Sequence, residues 1–204
     1  MVNRASHLVM DENPDVVVVA GDLANRDLQA AEHIVRELSK MAPRVFFVPG
    51  NMDNPVLADW TGTDRITCLH GKKVIHDGVS FIGLGGAVTG PCWDPFEYDE
   101  AEAGRILGNA IGSGSPYPLV LVSHCPPKGT KLDLAFGHWH VGSKVVREFI
   151  EEREPVLVIC GHIHEAQGID EIGRTLIVNV GAVAHGHYAS ISLEKQVKIE
   201  LRKL

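Results

Sequence analysis

Residues 156–164 read Val-Leu-Val-Ile-Cys-Gly-His-Ile-His. A five-residue apolar run of strand length ends in a glycine and two histidines spaced i, i+2. Imidazoles so spaced just past a strand can face one cavity. Because imidazole is the commonest metal-ligand side chain, ligation is the stronger reading of His162 and His164. Three other runs end in the same manner. Val16–Ala20 leads into Gly21-Asp22, Val45–Val48 passes through Pro49 into Gly50-Asn51, and Leu119–Ser123 leads into His124. Alone, Asp22 and Asn51 are also ordinary turn residues, and His124 could be a satisfied core histidine. Together, the four endings describe a parallel-type sheet whose strand ends converge on one pocket, where open α/β sheets hold their chemistry.

The intervening sequence keeps the α/β rhythm. Ala5, Leu8 and Val9 mark a helix over residues 2–12, ended by Asn13-Pro14-Asp15. Asp27 caps a helix with Leu28, Ala31, Ile34, Val35 and Leu38 on one face. Ile66–Leu69, Lys73–Ile75 and Val79–Leu84 read as short strands, the last two joined at Asp77-Gly78 as a hairpin. Asp99 caps a helix through Ile106, and Val145, Val146, Phe149 and Ile150 mark another. Leu176–Val180, Ala189–Leu193 and Val197–Leu201 close the chain as a β-rich tail. The expected architecture is one α/β domain over residues 1–204. It has two sheets packed face to face with helices outside, one sheet built from βα units and one more antiparallel. The loop from Gly85 to Glu100 is long and aromatic; it is either functional or packed on its own Trp93, Phe96 and Tyr98.

The totals narrow the function. A formal charge of −7 gives no basic footprint for nucleic acid. No apolar run reaches the length of a membrane span, and the polar residues after Met1 are not a signal-peptide core, so a cytoplasmic protein is expected. Cys68, Cys92, Cys125 and Cys160 form no CxxC pair and read as small buried hydrophobes.

In order, Gly21-Asp22, Gly50-Asn51, His124 and Gly161-His162-Ile163-His164 resemble the calcineurin-like metallophosphoesterase superfamily. The segments 48–53 (VPGNMD), His124-Cys125-Pro126-Pro127, His140-Val141-Gly142-Ser143 and 181–188 are similar to predicted phosphoesterases related to bacterial cyclic-AMP phosphodiesterase. The resemblance implies a four-layer α/β/β/α sandwich of two mixed sheets. It implies divalent metals (Mn, Fe, Zn, Ni or Co), two in an intact site. Asp22 would bridge them, Asn51, His124 and His162 would complete one, and His164 would serve the other. It further implies a metal-activated hydroxide attacking phosphorus in line, with Asp22, Asn51 and His124 as the catalytic set.

Two positions depart from the family pattern. Met52 stands where many members carry a histidine that protonates the leaving group, and a thioether cannot do so. His140, His185 and His187 are the residues that could take that acid role or contact substrate. The D-x-H motif expected on a strand before the first helix is also missing, and His7 lies mid-helix, away from the strand end required. Either the natural protein begins upstream of Met1, which is the preferred reading, or this is a degenerate member with one metal or none. The expected function is a metal-dependent phosphoesterase, in particular a phosphodiesterase of small phosphate esters. The alternative is a catalytically silent binding scaffold.

Overall fold

The computed structural model describes residues 12–90, 93–112 and 118–203. The expected helix over residues 2–12, with His7, falls almost wholly outside these, as does Cys92. The first strand, β1 (Val16–Val19), is followed by helix α1 (Leu28–Leu38), β2 (Arg44–Phe47) and β3 (Ile66–Cys68). Next come β4 (Lys73–His76), β5 (Val79–Leu84), β6 (Ala87–Val88), β7 (Glu97–Tyr98), α2 (Glu100–Ile111) and β8 (Leu119–Ser123). The chain continues through β9 (Leu134–Ala135), β10 (Trp139–His140), α3 (Lys144–Arg153) and β11 (Leu157–Cys160). It closes with β12 (Gly168–Ile172), β13 (Thr175–Asn179), β14 (His187–Ser192) and β15 (Lys198–Lys203).

Strands β1, β2 and β3 form a parallel three-stranded sheet. A second sheet has the order β12-β13-β11-β8-β5-β4; its four central strands are parallel and its two edge strands antiparallel. The expected division into a βα sheet and an antiparallel sheet is therefore not what forms. Parallel strands dominate both, and antiparallel pairing is found at the edges of the larger one, in the separate six-residue β14–β15 hairpin and in the short β9–β10 ladder. Strand β12 was not expected at all. Its alternation Gly-Ile-Asp-Glu-Ile is that of a half-exposed edge, with little apolar signal.

Side-chain alternation builds the layers. In β2, Val45 and Phe47 point outward to pack with Ala31, Val35 and Leu38 of α1, while Phe46 points inward. In β8, Leu121 faces α2 and α3 with Leu107 and Ile150, while Val120 and Val122 face inward. The inward residues of both sheets meet in a shared core with Phe81, Leu157 and Ile159. The order is thus α1, small sheet, large sheet, α2 with α3. The β14–β15 hairpin lays Ala189, Ile191, Ile199 and Leu201 on that same inter-sheet core. Among the described residues, no strand pairs with the second edge of β1.

Helix ends follow the capping expectations at Asp27 and Asp99, and Ser143 adds a third cap that was not anticipated. Asp27, Asp99 and Ser143 accept from the amides of Ala30, Glu102 and Val146. The Glu100 carboxylate, at the start of α2, also accepts from Ser143 Oγ (2.6 Å) and from the amides of Lys144 (2.7 Å) and Val145 (3.1 Å). One anion thereby satisfies the open N–H groups at the start of α3 and locks the two outer helices together.

Candidate metal centre

The loops that follow β1, β2, β8 and β11 bring four of the anticipated residues into one cluster. Asn51 Oδ1 lies 2.8 Å from His124 Nε2 and 2.9 Å from His162 Nδ1. An Asp22 carboxylate oxygen is 3.6 Å from His124 Nε2, and the other accepts from the Met52 amide at 3.1 Å. Asn51 and His124 are buried, and the His124 and His162 rings meet edge-on at 5.0 Å. His164 is exposed, begins a short 3-10 turn and packs edge-on against His185 at 6.0 Å. His185 is in turn 6.2 Å from His187.

The backbone explains the glycines. A Cβ on Gly21 would lie 2.3 Å from His124 Nδ1, and one on Gly50 would lie 2.1 Å from the Asp22 carboxylate. Only glycine lets the two strand ends approach this closely. Asp22 (φ 54°) and His162 (φ 67°) both occupy the left-handed region, where a non-glycine residue is held only by its surroundings. Asp53, fully buried, supplies much of that hold. Its carboxylate accepts from the amides of Leu23 (3.0 Å), Ala24 (2.9 Å) and Gly50 (2.8 Å), fastening the Asp22 loop to the Asn51 loop.

The donor set fits a cation. His124 Nδ1 lies 2.6 Å from the Ala20 carbonyl oxygen, which can only accept, so the proton of the neutral ring sits on Nδ1. That leaves the Nε2 lone pair facing the lone pairs of Asn51 Oδ1 and the Asp22 carboxylate. Such a juxtaposition is repulsive unless positive charge lies among these atoms, and a bound cation or a second proton on the ring would each supply it. A backbone carbonyl holding the far nitrogen is also the usual surrounding of a ligating histidine. Burial, reinforced by His124, holds the His162 imidazole down to about 4, so at neutral pH its lone pair is available. Among the described residues, no group of three or more His, Cys, Asp or Glu side chains makes a metal cluster by itself. The convergence is completed by the amide oxygen of Asn51. Burial pushes the Cys68 thiol up to about 11 and that of Cys125 to about 12, which disfavours thiolate ligation by either.

The long loop is built against this site. Gly86 N donates to Pro49 O (2.8 Å) and Phe96 N to Asn51 O (3.1 Å), while β6 and β7 pair in parallel across the loop. Asp94 accepts from Asn51 Nδ2 at 2.5 Å. Of the aromatics expected to fill the loop, Phe96 and Tyr98 do pack, against His70, whereas Trp93 is 87% exposed. His140 lies in the exposed β9–β10 ladder, with Nδ1 held 2.7 Å from the fully buried carboxylate of Asp133. Sequence reasoning missed Asp53, Asp94 and Asp133. Only Asp53 carried a local signal, lying two residues from Asn51 in a turn.

His70 makes the stability pH-dependent. Its Nδ1 accepts from Gly85 N (2.9 Å), and burial holds the ring down to about 4. Because the unfolded ring binds its proton near pH 6.5, this contribution is complete above that pH and is lost as the pH falls through 4. It amounts to roughly 2 kcal/mol between pH 7 and pH 5. Denaturant midpoints at the two pH values should differ more in the wild type than in His70→Gln. Equal differences would remove His70 from the account.

The family described as metallophosphoesterase, calcineurin superfamily, matches residues 24–204. An uncharacterized protein of Methanocaldococcus jannaschii, MJ1162, is 35% identical over 171 residues, covering 81% of this chain and 76% of its own. A crystal structure at 24% identity superposes with a TM-score of 0.83, covering 98% of this chain and 92% of the other. The protein TT1561 of Thermus thermophilus, at 19% identity, gives 0.73 with 99% and 92% coverage. Those two likenesses show the fold. No helix among the described residues is long and apolar enough to cross a membrane. With the family match running from just after Asp22 to the end of the chain, this protein belongs to the calcineurin superfamily of metallophosphoesterases, a family that is generally metal-dependent.

Proposed function

We propose that the chain is a metal-dependent phosphoesterase acting on small phosphodiesters. The observation that carries this reading is the meeting of His124 Nε2, His162 Nδ1 and Asn51 Oδ1 within 2.9 Å, beside the Asp22 carboxylate. These four residues would hold one divalent cation. Asp22 and His164 would begin a second site. When bound, the cations supply Lewis-acid activation of water and charge neutralisation at phosphorus.

The protein's own residues set the rest. Asn51 and His124 position the phosphate beside the cation, and Ala20 O keeps the His124 ring in one tautomer. Met52 offers no proton to a leaving group, so esters with good leaving groups are the better substrates. His140, oriented by buried Asp133, is the first candidate for a replacement acid. His185, against the His164 ring, is the second.

The test is hydrolysis of an activated aryl phosphodiester by the purified chain with Mn²⁺, before and after chelation. Turnover that chelator abolishes and Mn²⁺ restores is expected, with an alkyl phosphodiester much slower. Negligible metal uptake and no turnover would instead favour a binding scaffold.

A further inference from the structure

We infer that Asp94 is a positioning residue, whose carboxylate turns the Asn51 amide so that its oxygen, not its nitrogen, faces the histidines. This rests on the reading of the cluster as a cation site. A primary amide has nearly the same shape in its two orientations, so its neighbours must decide which atom points where. Toward the histidines, the flipped orientation is the better one in the absence of a cation. Its Nδ2 would donate to the lone pair that His124 Nε2 exposes, because Nδ1 already serves Ala20 O. Asn51 and His124 would then close on each other as a satisfied hydrogen bond, and Asn51 would offer no oxygen to a metal.

Asp94 opposes that outcome. Its carboxylate only accepts, and it sits 2.5 Å from Asn51 Nδ2, so a flip would set the amide oxygen against an anion. The backbone reinforces the arrangement. Phe96 N holds Asn51 O at 3.1 Å, and Gly86 N holds Pro49 O at 2.8 Å, so the loop carrying Asp94 is fixed to the turn it acts on. A charged acceptor also draws electron density onto Oδ1, which strengthens it as a ligand.

The experiment is calorimetric titration of Mn²⁺ alone into the metal-free full chain, with melting of each metal-free variant as the control. Asp94→Ala should weaken binding by about 10- to 100-fold, the range for removing an outer partner of a ligand. Asp94→Asn, which keeps a neutral acceptor, should fall between it and the wild type. The exchange N51D/D94N should recover most of the lost affinity. In it the amide has moved to the long loop and can donate to the carboxylate that has taken its place, whose second oxygen remains for the cation. A merely structural role would lower the melting temperature of metal-free Asp94→Ala and leave Mn²⁺ affinity of the folded protein unmoved. Wild-type affinity in both single variants, or an exchange variant no better than Asp94→Ala, overturns the inference. Should Asp94→Ala not fold, Asp94→Asn and the exchange decide it. A wild type that takes up no Mn²⁺ refutes the cation site itself, and this inference with it.

Discussion

If the chain is the phosphodiesterase proposed, Asn51→Ala should lower kcat/KM for an activated phosphodiester by at least about 100-fold, more than the loss of an outer partner costs a metal site. The residue is shared by both halves of the cluster. Its Oδ1 is the atom that His124 and His162 have in common, and its Nδ2 is the group that Asp94 holds. Truncation would remove the oxygen proposed to ligate the cation and leave a buried imidazole without its neighbour. The fold survives, because the turn is also held by Asp53 and by backbone bonds from Gly86 and Phe96. Steady-state kinetics under saturating Mn²⁺, beside a cooperative melt of the same sample, make the measurement. A rate within about threefold of wild type, under ~1 kcal/mol of transition-state stabilisation, would remove Asn51 from the active centre.

Asp53→Ala has the largest expected effect on stability, on the order of 3–5 kcal/mol. Its carboxylate is fully buried and receives three backbone amides, from Leu23, Ala24 and Gly50. Alanine leaves all three without that acceptor in a space that water does not reach readily. The cost of unmade buried hydrogen bonds therefore falls on one substitution. Asp53→Asn keeps one or two of the bonds and should lose about half as much. Urea denaturation distinguishes the three proteins, and a loss below about 1 kcal/mol for alanine, no more than one ordinary hydrogen bond, would mean that the loops are held elsewhere.

Much of the cluster was legible in the sequence because each of its four residues follows an apolar run. Burial makes a strand readable, and a strand end announces where a polar side chain can be aimed. Asp22, Asn51, His124 and His162 were found in this way, and their strands begin and end within a residue or so of the expected places. The caps Asp27 and Asp99 were legible for a similar local reason. Strand β12 was not, since its exposed edge carries acidic residues where a core strand carries valines. The ladders β6–β7 and β9–β10 are two residues long and exist only because the loops around them close. Asp94 left no trace, because its role depends on an amide 43 positions away. The spacing that singled out His164 did not reveal its neighbour His185, whose ring meets it edge-on.

Asp22 and Asn51 rise from the small sheet, His124 and His162 from the large one. Their spacing is therefore fixed by how two slabs of apolar side chains seat on one another. Phe46, Phe81 and Val120 belong to that shared core and act as shims between the slabs. Thinning one shim would tilt one pair of the proposed ligands against the other, and about an ångström of misplacement is enough to spoil alignment at a reacting centre. Substitutions that look like repacking in the middle of the sandwich belong, on these grounds, among those that tune turnover.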